Sequence, residues 1–254
     1  MSPSAQLRTL RQHLREHGIK ATAIEVSKYA RRTIDSQLNG LPGNYRIRFR
    51  LLTRRYEPEA ITPMWVSPDQ ITALSGGYER RDSGHLDYVP QFKPREAGWD
   101  SLPYEQSLPY GTVKGGDWDT EQVPFETLLM YRGVRERFAD GVPWHETVYH
   151  EELVTMFEKN GWSPADARAR ADTRCEKLDS LAATLTEEGY QSQRALNGHP
   201  LHEVTVTIAR DGSLRYNCEG RNRLCLAKVL GIERIPVLVL VKHSDAPQVP
   251  SSEE

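Results

Sequence analysis

The chain has 254 residues, enough for one large domain or two small ones, and at 38% hydrophobic and 27% charged it has the composition of an ordinary globular protein. No run of about 18 apolar residues exists, so no membrane-spanning helix is expected. The net charge of -2 is unevenly spread: residues 1–60 hold 12 Lys and Arg against 5 Asp and Glu, a balance of +7, and the remainder holds a balance of -9.

A basic arm on an acidic body suggests contact with an anion, whether a polymer, a membrane surface or the body itself. The alternative is a solvated basic helix. The opening MSPSAQLRTLRQHLREHG has no apolar h-region, so no secretory leader is expected. Three cysteines, Cys175, Cys218 and Cys225, contain no Cys-x-x-Cys pair and no histidine at zinc spacing. That set fits a reducing compartment, so a cytoplasmic location and no protein-held metal are expected.

Residues 4–16 read as a helix with Leu7, Leu10 and Leu14 on one face, and 22–37 as a second helix. From Tyr45 to Leu52 the chain alternates Tyr45, Ile47, Phe49 and Leu51 with Arg46, Arg48 and Arg50, which predicts a half-buried strand with a basic face. Residues 61–72 read as a short strand running into Ser67-Pro68, a helix-start signal. Between Gly76 and Val123 the sequence is rich in Gly, Pro, Tyr and Asp and is expected to be irregular. Its most pointed piece is Gly115-Gly116-Asp117-Trp118-Asp119, where two carboxylates flank a ring. That could hold a metal or a sugar, or be an Asx-type turn with a packed Trp.

Three helices are expected next, over 124–139, 145–160 and 163–188. The last opens on Ser163-Pro164-Ala165-Asp166 and ends at Gly189. His145 and His150 mimic a zinc-protease helix with one residue too many. At about 100° per residue, five positions leave the two rings about 140° apart, so they cannot share one metal.

The clearest architecture is predicted over 202–243. Val204, Val206 and Ile208 alternate with Glu203, Thr205 and Thr207, and Asp211-Gly212 signals a hairpin. Leu214, Tyr216 and Cys218 form the return strand, a helix follows from Arg221 to Leu230, and Ile235 to Val241 is apolar throughout. Strand, turn, helix and strand suggest a βαβ crossover, with the turn at the carboxyl end of a strand. Arg221 and Arg223 stand in the first helical turn, where cations typically cost about 0.3–1 kcal/mol each. A helix N-terminus, a glycine and two arginines together suit a phosphate. The simpler alternative is that both arginines pair with nearby carboxylates.

The run Cys218-Glu219-Gly220-Arg221-Asn222-Arg223-Leu224, then Ala227-Lys228, Gly231 and Ile235-Pro236-Val237, resembles the ParB/sulfiredoxin-like superfamily. Its ParB members read Gly-Glu-Arg-Arg at this turn, sulfiredoxins Gly-Cys-His-Arg and the related free-serine kinases Asp-Gly-His-His-Arg, so Gly220 and Arg223 match all three. Trp65-Val66-Ser67-Pro68 resembles the opening strand, and Gly189 to Gln193 the segment entering the substrate or nucleotide pocket. The resemblance covers about 61–75 and 176–243. It implies an α+β protein with a small mixed-sheet core and a βαβ crossover. A basic helical and strand arm at 1–60 and a long, mostly helical insertion at 76–175 would flank that core, ahead of a polar tail at 244–254.

The same resemblance implies a nucleotide ligand, a triphosphate or diphosphate such as ATP, ADP or CTP, with Mg²⁺. Gly220, Arg221, Asn222 and Arg223 would grip its phosphates. Glu219 stands where the kinases carry Asp and would act as base or metal ligand. Arg221 replaces the sulfiredoxin cysteine and Asn222 the family histidine, so sulfinic acid reduction is not expected. Asp117, Trp118, Asp119 and Gln193 would supply the pocket for a small hydroxyl acceptor in phosphate transfer. The alternative is a nucleotide-gated DNA-associated protein that uses residues 1–55 on the phosphate backbone.

Overall fold

In a computed structural model, residues 41, 43–80, 86–94 and 107–247 are described. The expected helices over 4–16 and 22–37, and the tail from 248 onward, lie outside them.

The first element corrects the sequence reading. Asn44–Leu52 is a helix, α1, and not a strand. Eight residues of alternation fit two periods equally well, and tertiary burial decides between them. The buried positions are Asn44, Tyr45, Arg48 and Leu52, a helical stripe, while Ile47 and Leu51 are about half exposed. Arg and Leu are good helix formers, so local propensity agrees. A 3-10 turn at Pro58–Ile61 leads to β1, Met64–Val66, and Ser67 then caps a second short turn with a reciprocal capping box.

β2 spans Ile71–Leu74. The stretch expected to be irregular then forms a hairpin of β3, Gly76–Arg80, and β4, Leu86–Pro90, with Tyr78 opposite Tyr88. Gly76 makes the pairing possible, since a Cβ there would sit 2.2 Å from the Val89 carbonyl oxygen. Short strands β5 (Lys93–Pro94), β6 (Ser107–Leu108), β7 (Thr112–Lys114) and β8 (Val123–Pro124) follow. Helix α2 is Leu129–Phe138, shorter than expected because 125–127 is a separate 3-10 turn. Helix α3 is Val148–Lys159, capped by Thr147. Helix α4 is Pro164–Glu188, with Ser163 as N-cap and Gly189 at φ 73° ending it, as its sequence signals.

β9 (Val204–Ile208), β10 (Leu214–Tyr216), helix α5 (Arg221–Val229) and β11 (Ile235–His243) complete the chain. The protein is therefore mixed α+β. Its main sheet runs β1-β11-β9-β10-β2-β8, and β7 adds to β11 beyond β1. The expected βαβ crossover takes a different form. β10 is antiparallel to β9 and parallel to β2, while the parallel partner of β11 is β9. The path from β10 through α5 thus passes over β9 before re-entering the sheet. The region 76–175 is not mostly helical either, since six of its strands precede the helices and two of them extend the main sheet.

Both faces of the sheet are covered. Helices α2 to α5 pack on the face formed by Val204, Val206, Ile208, Leu214 and Tyr216. On the other, Leu238 and Leu240 meet Leu52, Tyr56, Ile61, Phe92, Tyr110 and Trp118. Residues 44–60, expected in the arm, therefore contribute to the core through Leu52 and Tyr56. The polar side of β9 is buried as well: Thr205 and Thr207 are fully enclosed, and the Thr205 hydroxyl meets the Tyr110 hydroxyl at 3.1 Å.

Candidate functional site

The Glu219–Arg223 turn lies where the sequence puts it, between the carboxyl end of β10 and the N-terminus of α5. Gly220 is left-handed at φ 74°, and a Cβ there would lie 2.7 Å from Val204 Cγ2 and 2.9 Å from its Cα. Both facts require glycine, and both serve the seating of α5 on β9.

The two arginines of this turn diverge, as positions two apart on a helix must. Arg221 points toward Tyr78, Tyr88, Tyr149, Glu152 and Arg174, with which it lines a small recess of about 80 Å³. Arg223 turns the other way. Its guanidinium lies 3.4 Å from a Glu203 carboxylate oxygen, donates to the His202 carbonyl and rests 5.6 Å above the Tyr190 ring. Asn222 is exposed. Glu219 is largely enclosed; burial raises its pKa, and the nearby Arg223 charge only partly counters this.

Glu203 is the residue at this end that the sequence did not single out. It is 1% exposed and accepts the Gln193 backbone N–H as well as the Arg223 contact. Burial pushes its pKa up to about 7, against the pull of those two partners. The available signal was a glutamate opening a strand whose apolar residues are all core.

Through Gln193 the turn reaches an open cleft. Ser192, Arg194 and Asn197 of the 189–199 connection face Tyr45, Arg46, Phe49 and Arg50 of α1 and Trp65 of β1 across about 800 Å³. Asn197 fixes the two walls together. It adopts a left-handed backbone, φ 51°, accepts the Tyr45 N–H at 2.9 Å and donates to the Leu41 carbonyl at 2.9 Å. Arg46 and Arg50 stand four residues apart on one exposed face of α1. They are two of the three arginines read as a strand's basic face; the third, Arg48, is buried.

Asp117, Trp118 and Asp119 lie elsewhere. The Arg210 guanidinium donates to Asp119 at 2.8 and 2.9 Å, to Asp117 at 3.0 Å and to the Gly116 carbonyl, and its backbone N–H donates to Asp119 at 2.6 Å. Burial alone would raise the pKa of Asp119, but these donors reverse the effect and hold it at about 2. The His243 Nε2–H donates to the Gly116 carbonyl oxygen at 2.8 Å, and its ring lies tilted against that of Trp118, centroids 5.7 Å apart. Arg210 follows β9 and Gly220 packs on its first residue, so the clasp and the turn are separated by roughly 20 Å of strand at 3.3 Å per residue. Gln193 belongs to the turn's end and not to the clasp. The expected acceptor pocket is therefore not assembled as one site. Asp117 and Trp118 instead line a cleft of about 510 Å³ beside β3 and β4, to which no residue of 219–223 contributes.

Among the described residues no group of three or more His, Cys, Asp or Glu is placed to hold a metal ion. His150 engages Asp172 at 2.8 Å and His145 lies in a separate turn, so they do not converge. No helix of the described residues is long and apolar enough to cross a membrane. No family model, curated protein or solved structure matches the chain.

Proposed function

We propose that this protein binds a nucleotide at the α1 cleft, with the Glu219–Arg223 turn as its supporting layer and a ParB/sulfiredoxin-like core as its frame. One observation carries the reading. Arg46, Arg50 and Arg194 line the same open cleft, of nucleotide size, as Tyr45, Phe49 and Trp65. Guanidinium groups suit phosphate oxygens, and rings suit the face of a base. The turn supports the cleft by contact: Arg223 holds Glu203, Glu203 holds the Gln193 N–H, and Gln193 lies between Ser192 and Arg194. Mg²⁺ would arrive with the nucleotide, held by phosphate oxygens and retained waters with one or two protein carboxylates added.

Phosphate transfer to a small hydroxyl acceptor is the fuller form of this reading. It requires the acceptor to lie on the turn's side of the Gln193–Glu203 contact, where Glu219, whose pKa burial raises, would take its proton. Binding of ATP, ADP, CTP and GTP, each with and without Mg²⁺, is tested by thermal shift, because a ligand of the folded state raises the midpoint. Absence of any shift across that panel overturns the nucleotide reading. Where a nucleotide binds, Glu219→Gln is expected to leave its affinity within a few-fold and to lower turnover with hydroxyl acceptors about 100-fold. Equal turnover in both proteins removes Glu219 from the chemistry.

A second reading is favoured by the exposure of Arg46 and Arg50 at the end of the basic arm. It is a DNA-associated protein in which the nucleotide acts as a gate. Phosphate contacts make DNA affinity fall steeply with salt, so titrations at two salt concentrations separate this reading from the enzyme.

A further inference from the structure

Arg215 is 3% exposed and stands on β10 directly opposite Thr207 of β9. Its Nη1 donates to the Glu121 carbonyl at 2.8 Å, but its Nε has no hydrogen-bond partner, and neither does the Thr207 hydroxyl beside it. Arg215 forms no ion pair among the described residues. The acids closest to it are engaged elsewhere. Asp119 takes the Arg210 fork, and Asp211 takes the backbone N–H and hydroxyl of Ser213. A buried ion without a counter-charge is costly, by several kcal/mol in proteins. Asp119 and Asp211 attract Arg215 only from a distance, without a contact, so the guanidinium is left able to take an external anion.

The space for that compensation is present. Arg215 forms part of the wall of the cleft of about 510 Å³ between the β3–β4 hairpin and the 117–123 segment. Tyr78, Trp118 and Val123 give this cleft an apolar side, and Glu79, Asp117 and Glu121 give it an acidic one.

We propose that this cleft binds a small monocarboxylate, with the carboxylate seated on the Arg215 guanidinium and the organic body against Trp118 and Tyr78. One buried positive charge matches one negative charge. Glu79, Asp117 and Glu121 in the same wall repel any anion, and repel a doubly charged one such as phosphate about twice as strongly as a single carboxylate, so that only a monoanion held directly on Arg215 is favoured. Burial also lowers the pKa of Arg215, the sign of a cation short of compensation. An ordered water could accept the Nε hydrogen, but it cannot neutralise the charge. This site is independent of the nucleotide cleft, which shares no residue with it.

The test is calorimetric titration of the full-length chain with sodium benzoate, and separately with inorganic phosphate, at constant ionic strength. Saturable benzoate binding at least tenfold tighter than phosphate is expected. Arg215→Met keeps the volume and removes the charge. It is expected to weaken benzoate at least tenfold while leaving the melting midpoint unchanged or raised. Glu121→Gln alters an exposed side chain whose backbone, not its carboxylate, touches Arg215; it is expected to tighten benzoate by a few-fold. The proposal is overturned by no saturable benzoate binding, by phosphate binding as tightly as benzoate, or by unchanged affinity in Arg215→Met. If Arg215→Met does not fold, Glu121→Gln decides, and unchanged benzoate affinity in that variant overturns the proposal.

Discussion

The two ends of β9 each carry a buried carboxylate facing an arginine, and the two pairs behave in opposite ways. At one end Asp119 receives a fork from Arg210 and a backbone N–H, all between 2.6 and 3.2 Å, and its pKa falls to about 2. At the other end Glu203 receives one backbone N–H and an arginine contact of 3.4 Å, and its pKa rises to about 7. Burial raises both. The difference lies in the number and geometry of donors, because a buried carboxylate stays charged only when hydrogen bonds replace its lost water. The first pair is a fastener. The second is a group near its titration point, joined to the walls of the candidate nucleotide cleft.

The sharpest way to break this comparison is to remove the well-satisfied partner. Asp119→Ala leaves Arg210 without its main counter-ion and frees the loop that carries Trp118. Charge-assisted hydrogen bonds are typically worth about 1.5–3 kcal/mol, and because the Arg210 side chain stays 42% exposed the loss should lie near the upper end of that range for the whole clasp. Urea denaturation should read that loss. Nucleotide affinity should stay within a few-fold, because the clasp lies at the far end of the strand. A loss below about 1 kcal/mol would mean that the clasp is not a fastener.

The Glu203 end predicts a pH effect of opposite sign. A carboxyl whose folded pKa is raised binds more protons in the folded than in the unfolded chain between the two values, here 4.5 and about 7. Its contribution is therefore fully present below pH 4.5 and is lost as the pH rises through 7. The amount is about 3 kcal/mol, from about 1.4 kcal/mol per unit. Glu203→Gln, which cannot ionise, should remove this slope and leave the variant more stable than the wild type at pH 8. Denaturation at pH 5, 6, 7 and 8 measures it, and parallel curves for the two proteins would place the Glu203 pKa at its ordinary value.

The same contrast explains what was legible in the sequence. The hairpin, the helix after Gly220 and the apolar β11 were readable because their signals are local: period two, Asp-Gly, a glycine before a helix and a long apolar run. Helix α4 announced both of its ends. Helix α1 was misread because Arg46, Arg48 and Arg50 alternate with apolar residues while the buried stripe, Tyr45, Arg48 and Leu52, follows a helical period that includes an arginine. The β3–β4 hairpin was missed because Gly76 and Gly77 read as breakers, although Gly76 is what admits the Val89 carbonyl. Asp119 and Gln193 could be suspected as polar residues in a turn-rich setting, but not assigned to opposite ends of one strand, since that depends on pairings about 90 and 10 residues apart. Glu203 looked like part of a solvated strand face. Nothing local records that it takes the Gln193 N–H and meets the Arg223 guanidinium.

The smallest expected effect is also the most specific to the nucleotide reading. Arg50 is exposed on α1 and lines the cleft, away from the buried positions of that helix. Arg50→Ala should therefore change stability by less than about 0.5 kcal/mol, the usual range for surface substitutions. If the cleft holds phosphates, loss of one charged hydrogen-bonding partner should cost about 1.5 kcal/mol, roughly a tenfold weaker nucleotide. Arg223→Ala makes the complementary variant, since Arg223 reaches the cleft only through Glu203 and Gln193. It should lower stability by more than Arg50→Ala does and weaken the nucleotide indirectly. Adding Glu203→Gln to Arg223→Ala should restore much of the stability, because the uncompensated buried charge is then gone. Calorimetry on Arg50→Ala and Arg223→Ala, with melts of those two and of the double variant, separates contact from support. Unchanged affinity in Arg50→Ala together with a full loss in Arg223→Ala would move the phosphates from the α1 cleft onto the Glu219–Arg223 turn itself.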